Sequence, residues 1–131
     1  MKPLNILTTN GITISVRTTF VPEQSSIDHH NFVFAYEIEI QNHNDFPVKL
    51  LSRKWIITDA LLNKRHVSGL GVVGEQPIIM PNQKYSYISG CHFKTPFGKM
   101  EGYYKMYNLE NHEILIIKIP EFCMYCPYFI N

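Results

Sequence analysis

No stretch of this chain is long and apolar enough to span a bilayer: the run Ile114 to Ile117 falls far short of the ~20 residues that a membrane helix requires. Membrane insertion is therefore not expected. Excess charge of either sign is also lacking, with twelve Lys and Arg against eleven Asp and Glu and a net charge of +1. No global field draws the chain to nucleic acid, to an acidic substrate or to an anionic surface, so a partner has to be read by local shape. The segment Met1-Lys2-Pro3-Leu4-Asn5-Ile6 lacks the apolar core and small-residue cleavage site of a secretory leader. The cysteines Cys91, Cys123 and Cys126 are an odd set without framework spacing. Free thiols in the reducing cytoplasm are the expectation.

Helical periodicity is missing too, as are internal repeats and low-complexity linkers. The chain has 131 residues, enough for one core, and residues 1–131 read as a single domain. What recurs is alternation with period two, the signature of strands with one buried face. Ile12, Ile14 and Val16 alternate with Thr13, Ser15 and Arg17; Phe32, Phe34, Tyr36, Ile38 and Ile40 alternate with Val33, Ala35, Glu37, Glu39 and Gln41. A polar turn at 42–45 leads to Pro47, which opens a run through Leu50, Leu51, Trp55 and Ile57, with Trp55 as core anchor. Asp59 to Asn63 reads as a hairpin turn returning along Lys64 to Ser68.

Pro77 and Pro81 confine Ile78-Ile79-Met80 to an edge or a loop. Strand character resumes at Tyr85 to Ser89 and at Met100 to Tyr107. In a last strand Leu115, Ile117 and Ile119 share a face, and Pro120 is expected to stop it. The apolar tail from Glu121 is expected to dock on the body. Seven to eight such strands predict an all-β immunoglobulin/fibronectin-III-like sandwich, held by packing around Trp55 because Cys91 has no disulfide partner.

Catalytic signatures are scarce. There is no G-x-S-x-G, no evident carboxylate pair and no serine beside a base, so no enzyme is expected. Gly69, Gly71 and Gly74 match G-x-G-x-x-G, which cradles a pyrophosphate when it opens a helix. Val72 and Val73 are β-branched and Pro77 and Pro81 fall where that helix would run, so two readings remain: glycines that permit a tight loop, or a small anion-binding nest. Cys123-Met124-Tyr125-Cys126 lacks the second ligand pair of a zinc site and reads as packing. The histidines His29, His30, His43, His66, His92 and His112 are scattered and the acids dispersed, so neither a metal nor any other cofactor is expected.

Lys49, Arg53, Lys54, Lys64 and Arg65 read as the solvated face of a hairpin rather than as a nucleic-acid site. Tyr85, Tyr87, Tyr103, Tyr104 and Tyr107 lie on two successive strands, where alternate residues face outward. They form either an exposed stripe suited to a protein partner or a part of the core.

The stretch Gly69-Leu70-Gly71-Val72-Val73-Gly74-Glu75-Gln76-Pro77, then Pro81, Tyr85-Ser86-Tyr87 with Ser89-Gly90, and Thr95-Pro96-Phe97-Gly98-Lys99-Met100-Glu101-Gly102-Tyr103-Tyr104, resembles the ApaG family. Phe34-Ala35-Tyr36, the segment Leu50 to Asp59 and Ile119-Pro120 extend the resemblance over nearly the whole chain. It departs from the family pattern at Asn82, where glycine commonly follows the proline, and at Asp59-Ala60, where Asp-Gly or Asn-Gly is frequent. The resemblance implies a fibronectin-III-like sandwich and an association with cobalt resistance and magnesium efflux, without an established biochemical activity. Related domains in eukaryotic F-box proteins and a polymerase-delta-interacting protein imply binding to other proteins. The function expected is a non-enzymatic interaction module with an unidentified protein partner, self-pairing remaining open. The competing expectation is a small-anion or divalent-cation binder using the Gly69–Gly74 loop.

Overall fold

The computed structural model describes residues 4–129. Among them run β1 (Leu4–Thr9), β2 (Ile12–Phe20), β3 (Phe32–Asn42), β4 (Val48–Asp59), β5 (Lys64–Leu70), β6 (Ile78–Ile79), β7 (Lys84–Phe93), β8 (Phe97–Asn108) and β9 (Ile114–Tyr125). They build two antiparallel sheets, ordered β1-β2-β3-β7 and β5-β4-β8-β9, with β6 also paired to β4. β8 pairs with β4 along its whole length, so β5 and β6 share the opposite edge of β4 in succession. The expected sandwich is thus present. No helix among the described residues is long and apolar enough to cross a membrane.

The alternation works as the sequence predicts. Ile12, Ile14 and Val16 of β2 and Phe32, Phe34, Tyr36, Ile38 and Ile40 of β3 are all buried against the other sheet. Each large side chain removed from water in this way contributes roughly 1.5–3 kcal/mol. Trp55 is the anchor it was expected to be, edge-on to Tyr36 at 5.6 Å, to Phe122 at 5.9 Å and to Tyr104 at 6.4 Å between ring centroids. The tail docks as expected within the described residues: Cys126 is buried, and Tyr128 and Phe129 stack edge-on against Phe20 and Phe32.

Three features differ from the sequence reading. The strand β1 is an addition, joined to β2 by Asn10-Gly11 at φ 49° and 75°, the two-residue turn whose handedness matches strand twist. Asn-Gly is itself a strong hairpin signal that the alternation of Leu4 to Thr9, with little polar contrast, does not support. Pro120 does not stop β9, which continues to Tyr125. Its register against β8 slips between Ile119↔Gly102 and Phe122↔Met100, so the proline sits in a bulge where no ladder donor is required of it. After the slip the buried positions change parity, from Ile117 and Ile119 to Phe122, Met124 and Cys126.

The third difference is a second bulge, in β4. Leu50 faces Met106 and Ser52 faces Lys105, leaving Leu51 without a partner. Val48 and Leu50 therefore bury even positions, whereas Trp55 and Ile57 bury odd ones. The departure at Asn82 is absorbed locally: that residue holds φ 64°, a conformation that asparagine tolerates better than most residues with a side chain.

Candidate functional site

The sandwich has two long seams, where the edge of one sheet meets the edge of the other. On one seam β1 lies against β9, with Asn5 Nδ2 donating to the Glu121 carbonyl and Asn10 Nδ2 to the Ile116 carbonyl, both at 3.1 Å. On the other seam β5 and β7 stand apart and leave a cleft of about 480 Å³, walled by Tyr36, Arg53, Trp55, Arg65, Ser89 and Cys91 among others. Side-chain bridges cross this opening at its two ends. Tyr85 donates from its hydroxyl to Glu75 Oε2 at 2.9 Å, and Arg65 Nη2 donates to the His92 carbonyl.

Arg53 lies between these bridges. The Leu51 bulge turns it inward: without the extra residue, Arg53 would face outward with Lys49. Opposite it across the ladder stands Gly69, and a methyl group there would come within 2.7 Å of Arg53 Nη1. The glycine leaves room for the guanidinium to lie against β5. Arg53 Nη1 donates to the carbonyls of Leu70 at 3.0 Å and Gly71 at 2.9 Å. The bulge is held in turn, because the freed Leu51 carbonyl accepts from the Gly71 amide at 2.8 Å and from Gln76 Nε2 at 2.9 Å.

The remaining walls combine polar tips and apolar surface. Burial pushes the Tyr36 hydroxyl above its ordinary pKa, with Ser89 and Arg53 pulling the other way. Burial likewise raises the Cys91 thiol, while the Arg65 guanidinium 3.5 Å from its sulfur favours the thiolate. Arg65 also lies over the ring of Phe93, 5.8 Å from its centroid. Val67 is the exposed apolar residue of the cleft, Trp55, Ile57 and Met100 lie buried at its base, and no Asp or Glu lines it.

The sequence-predicted candidates are distributed differently from expectation. In the Gly69–Gly74 segment the backbone is engaged within the protein at several points. Gly69 belongs to β5, the Gly71 amide is bound to Leu51, and Val72 and Glu75 exchange both of their backbone bonds around a turn at Val73-Gly74. Gly69 and Gly71 seat Arg53. Of the two readings of the tyrosines, the core one holds for Tyr87 and Tyr104, because β7 and β8 belong to opposite sheets. Tyr87 and Tyr104 meet inside the core, hydroxyl bonded to hydroxyl, and burial raises both pKa values. Tyr85, at the end of the cleft, and Tyr107 are half-buried, and Tyr103 alone of these five tyrosines is exposed, on the outer face.

The basic hairpin face divides as well: Lys49, Lys54 and Lys64 face outward, whereas Arg53 and Arg65 turn into the cleft. Sequence reasoning placed this pair on the solvated face; the switch from even to odd apolar positions between Leu50 and Trp55 is the signal that could have shown its inward turn. Among the described residues no three of His, Cys, Asp and Glu stand close enough to hold a metal ion. His29 pairs with Ser26 Oγ at 2.7 Å and His112 with the Tyr107 hydroxyl at 2.6 Å. Cys91, Cys123 and Cys126 are free, Cys123 alone being exposed.

Residues 22–108 match the family model described as ApaG domain. The chain is 40% identical over 126 residues to Protein ApaG of Proteus mirabilis, covering 96% of this chain and all of that one. It is 45% identical over 111 residues to Protein ApaG of Acidithiobacillus ferrooxidans, covering 85% and 87%. A crystal structure described as the putative ApaA protein from Bordetella pertussis superposes with a TM-score of 0.85 at 39% identity, over 97% of this chain and 98% of that one. The C-terminal domain of wzt, at 5% identity and a TM-score of 0.55, shares the fold alone.

Proposed function

The chain belongs to the ApaG domain family, and we propose that this domain is a non-catalytic interaction module that takes an extended segment of a protein partner along the open seam between β5 and β7. The observation that carries this reading is the state of β5. It is an edge strand with every residue exposed except Gly69. Edge strands offer unpaired backbone groups that invite another strand, and natural proteins usually blunt them. Here Lys64 and Arg65 guard one end, whereas the other runs into exposed Leu70, Val73 and Ile78.

Val73 supports the same reading. It is β-branched, 62% exposed and held at φ 47° in a turn position that asparagine or glycine would fill at lower cost. Strain of this kind, retained to present an apolar side chain to solvent, belongs with contact surfaces rather than with folding. The free thiols fit a cytoplasmic site of action. A part in cobalt or magnesium handling would then be relayed through the partner.

Phage display of randomised peptides against the folded domain tests the reading. Selected peptides should bind saturably, shift the amide resonances of β5 and β7, and lose affinity with Val73→Asp. Absence of any saturable binder, or shifts mapping to the β1–β9 seam, would overturn it. A second copy of this chain is the competing occupant, and sedimentation at rising concentration separates the two.

A further inference from the structure

We propose that the open seam recognises a free carboxylate: the C-terminus of an extended peptide that ends in an apolar residue. This rests on the reading that a partner segment lies along the seam, and it names the chemistry that the segment presents. The starting point is Arg53. It is half-buried, and it has no carboxylate partner among the described residues. A charge drawn partly out of water is normally paired, because desolvation without a counter-charge is unfavourable.

Arg53 is satisfied on one nitrogen only. Nη1 gives its protons to the Leu70 and Gly71 carbonyls, while Nε and Nη2 have no hydrogen-bond partner among the described residues. Those two nitrogens form the edge of the guanidinium that grips a carboxylate with two parallel bonds. Arg65 is already committed to the His92 carbonyl, to the Cys91 sulfur and to the Phe93 ring. One free guanidinium edge suits a monoanion better than a phosphate dianion.

The surroundings narrow the ligand further. Beside Arg53 the exposed side chain is Val67, over the buried Trp55, Ile57 and Met100, so the lining there is apolar and the group carrying the carboxylate should itself be apolar. Both walls are edge strands, which can pair with a backbone. The Glu75–Tyr85 and Arg65–His92 bridges cross the seam at its two ends, so a strand cannot run through the cleft at full depth. A chain end can enter where a continuous segment is blocked, and its terminal carboxylate then arrives at Arg53.

The test uses two libraries of random heptapeptides, one with free C-termini and one closed as C-terminal amides, titrated against the full chain with amide-resonance mapping. Selected acids should share an apolar last residue and map to β5 and β7. Amidation of the same peptide should weaken binding about ten- to hundred-fold. Arg53→Gln should weaken the acid by a similar factor and leave the amide unchanged, whereas Lys54→Gln, on the outer face, should alter neither. Amidation needs no variant, so the conclusion survives even if Arg53→Gln folds poorly.

Equal binding of acid and amide at the seam would overturn the carboxylate inference and leave the interaction module standing. No seam binder from either library would overturn both. Inorganic phosphate shifting the Arg53 region where no peptide acid does would replace the carboxylate by a phosphate site.

Discussion

The two seams of this sandwich join the same two sheets yet solve the edge problem in opposite ways. On the β1–β9 side, asparagine amides reach across to backbone carbonyls, and Ile117 and Ile119 stay buried although Leu4, Ile6, Ile114 and Ile116 are exposed. On the β5–β7 side the edges stand apart, two side-chain bridges hold the ends, and an arginine without a counter-charge faces the gap. Both seams use a bulge, but with different results. The Pro120 bulge keeps the core of β9 filled by turning Phe122 and Met124 inward, whereas the Leu51 bulge turns Arg53 inward, toward a cleft that no other strand covers. Closure therefore serves stability, and the open side is where a partner can add what the fold leaves out.

The largest expected effect falls on the floor common to both halves. Trp55→Ala should destabilise the domain by about 3–5 kcal/mol, read from the urea midpoint, because a ring 2% exposed and packed on Tyr36, Tyr104 and Phe122 leaves a cavity. A cost near 1 kcal/mol would mean that the open side collapses to fill the hole, and the contrast between seams would lose its basis.

Alkali should act on the core beneath the open seam. Burial raises the pKa of Tyr36, Tyr87 and Tyr104 above 10.0, so below pH 10 the folded and unfolded chains both keep these protons. Above it the unfolded chain releases them first, binds fewer protons than the native one, and stability falls as pH rises. Denaturation midpoints between pH 9 and 12 should drop more steeply for the parent than for Tyr87→Phe.

On the closed seam, Asn10→Ala removes the bond to Ile116 and places alanine at φ 49°. A loss of about 2 kcal/mol is expected, with faster amide exchange confined to β1. The opposite sign is expected on the open side. Val73→Asn should raise stability by about 1 kcal/mol through relief of backbone strain, while weakening any seam ligand. Smallest of all, Arg53→Gln should move stability by no more than about 1 kcal/mol, because the lost carbonyl bonds are offset by removal of an unpaired, half-buried charge. A large loss there would make Arg53 a structural pin and take the binding role from the cleft.

The sandwich was legible in the sequence because period-two alternation is a local property: Phe32 to Ile40 declare their buried face whatever they pair with. The edge character of Ile78-Ile79 was legible from the flanking Pro77 and Pro81, and Trp55 as an anchor from its bulk within an apolar run. The strand β1 was missed because Leu4 to Thr9 is partly exposed along its whole length and shows little contrast between faces. The candidate site was hardly legible at all. Gly69 and Gly71 stood out for their spacing, but their task depends on Arg53, which lies sixteen and eighteen residues away in sequence and beside them only through the β4–β5 ladder.

By itself, the sequence determined an all-β chain, the inward-packing residues of β2 and β3, and family membership carried by linked motifs. The tertiary structure alone decided which tyrosines meet inside the core, which arginines turn inward, and which pair of edges stays open. Side-chain facing within a strand follows from its own alternation, but each bulge reverses that facing, and a bulge exists only in the register between two strands. Where those strands are distant in sequence, the chemistry of the cleft becomes defined only when they pair.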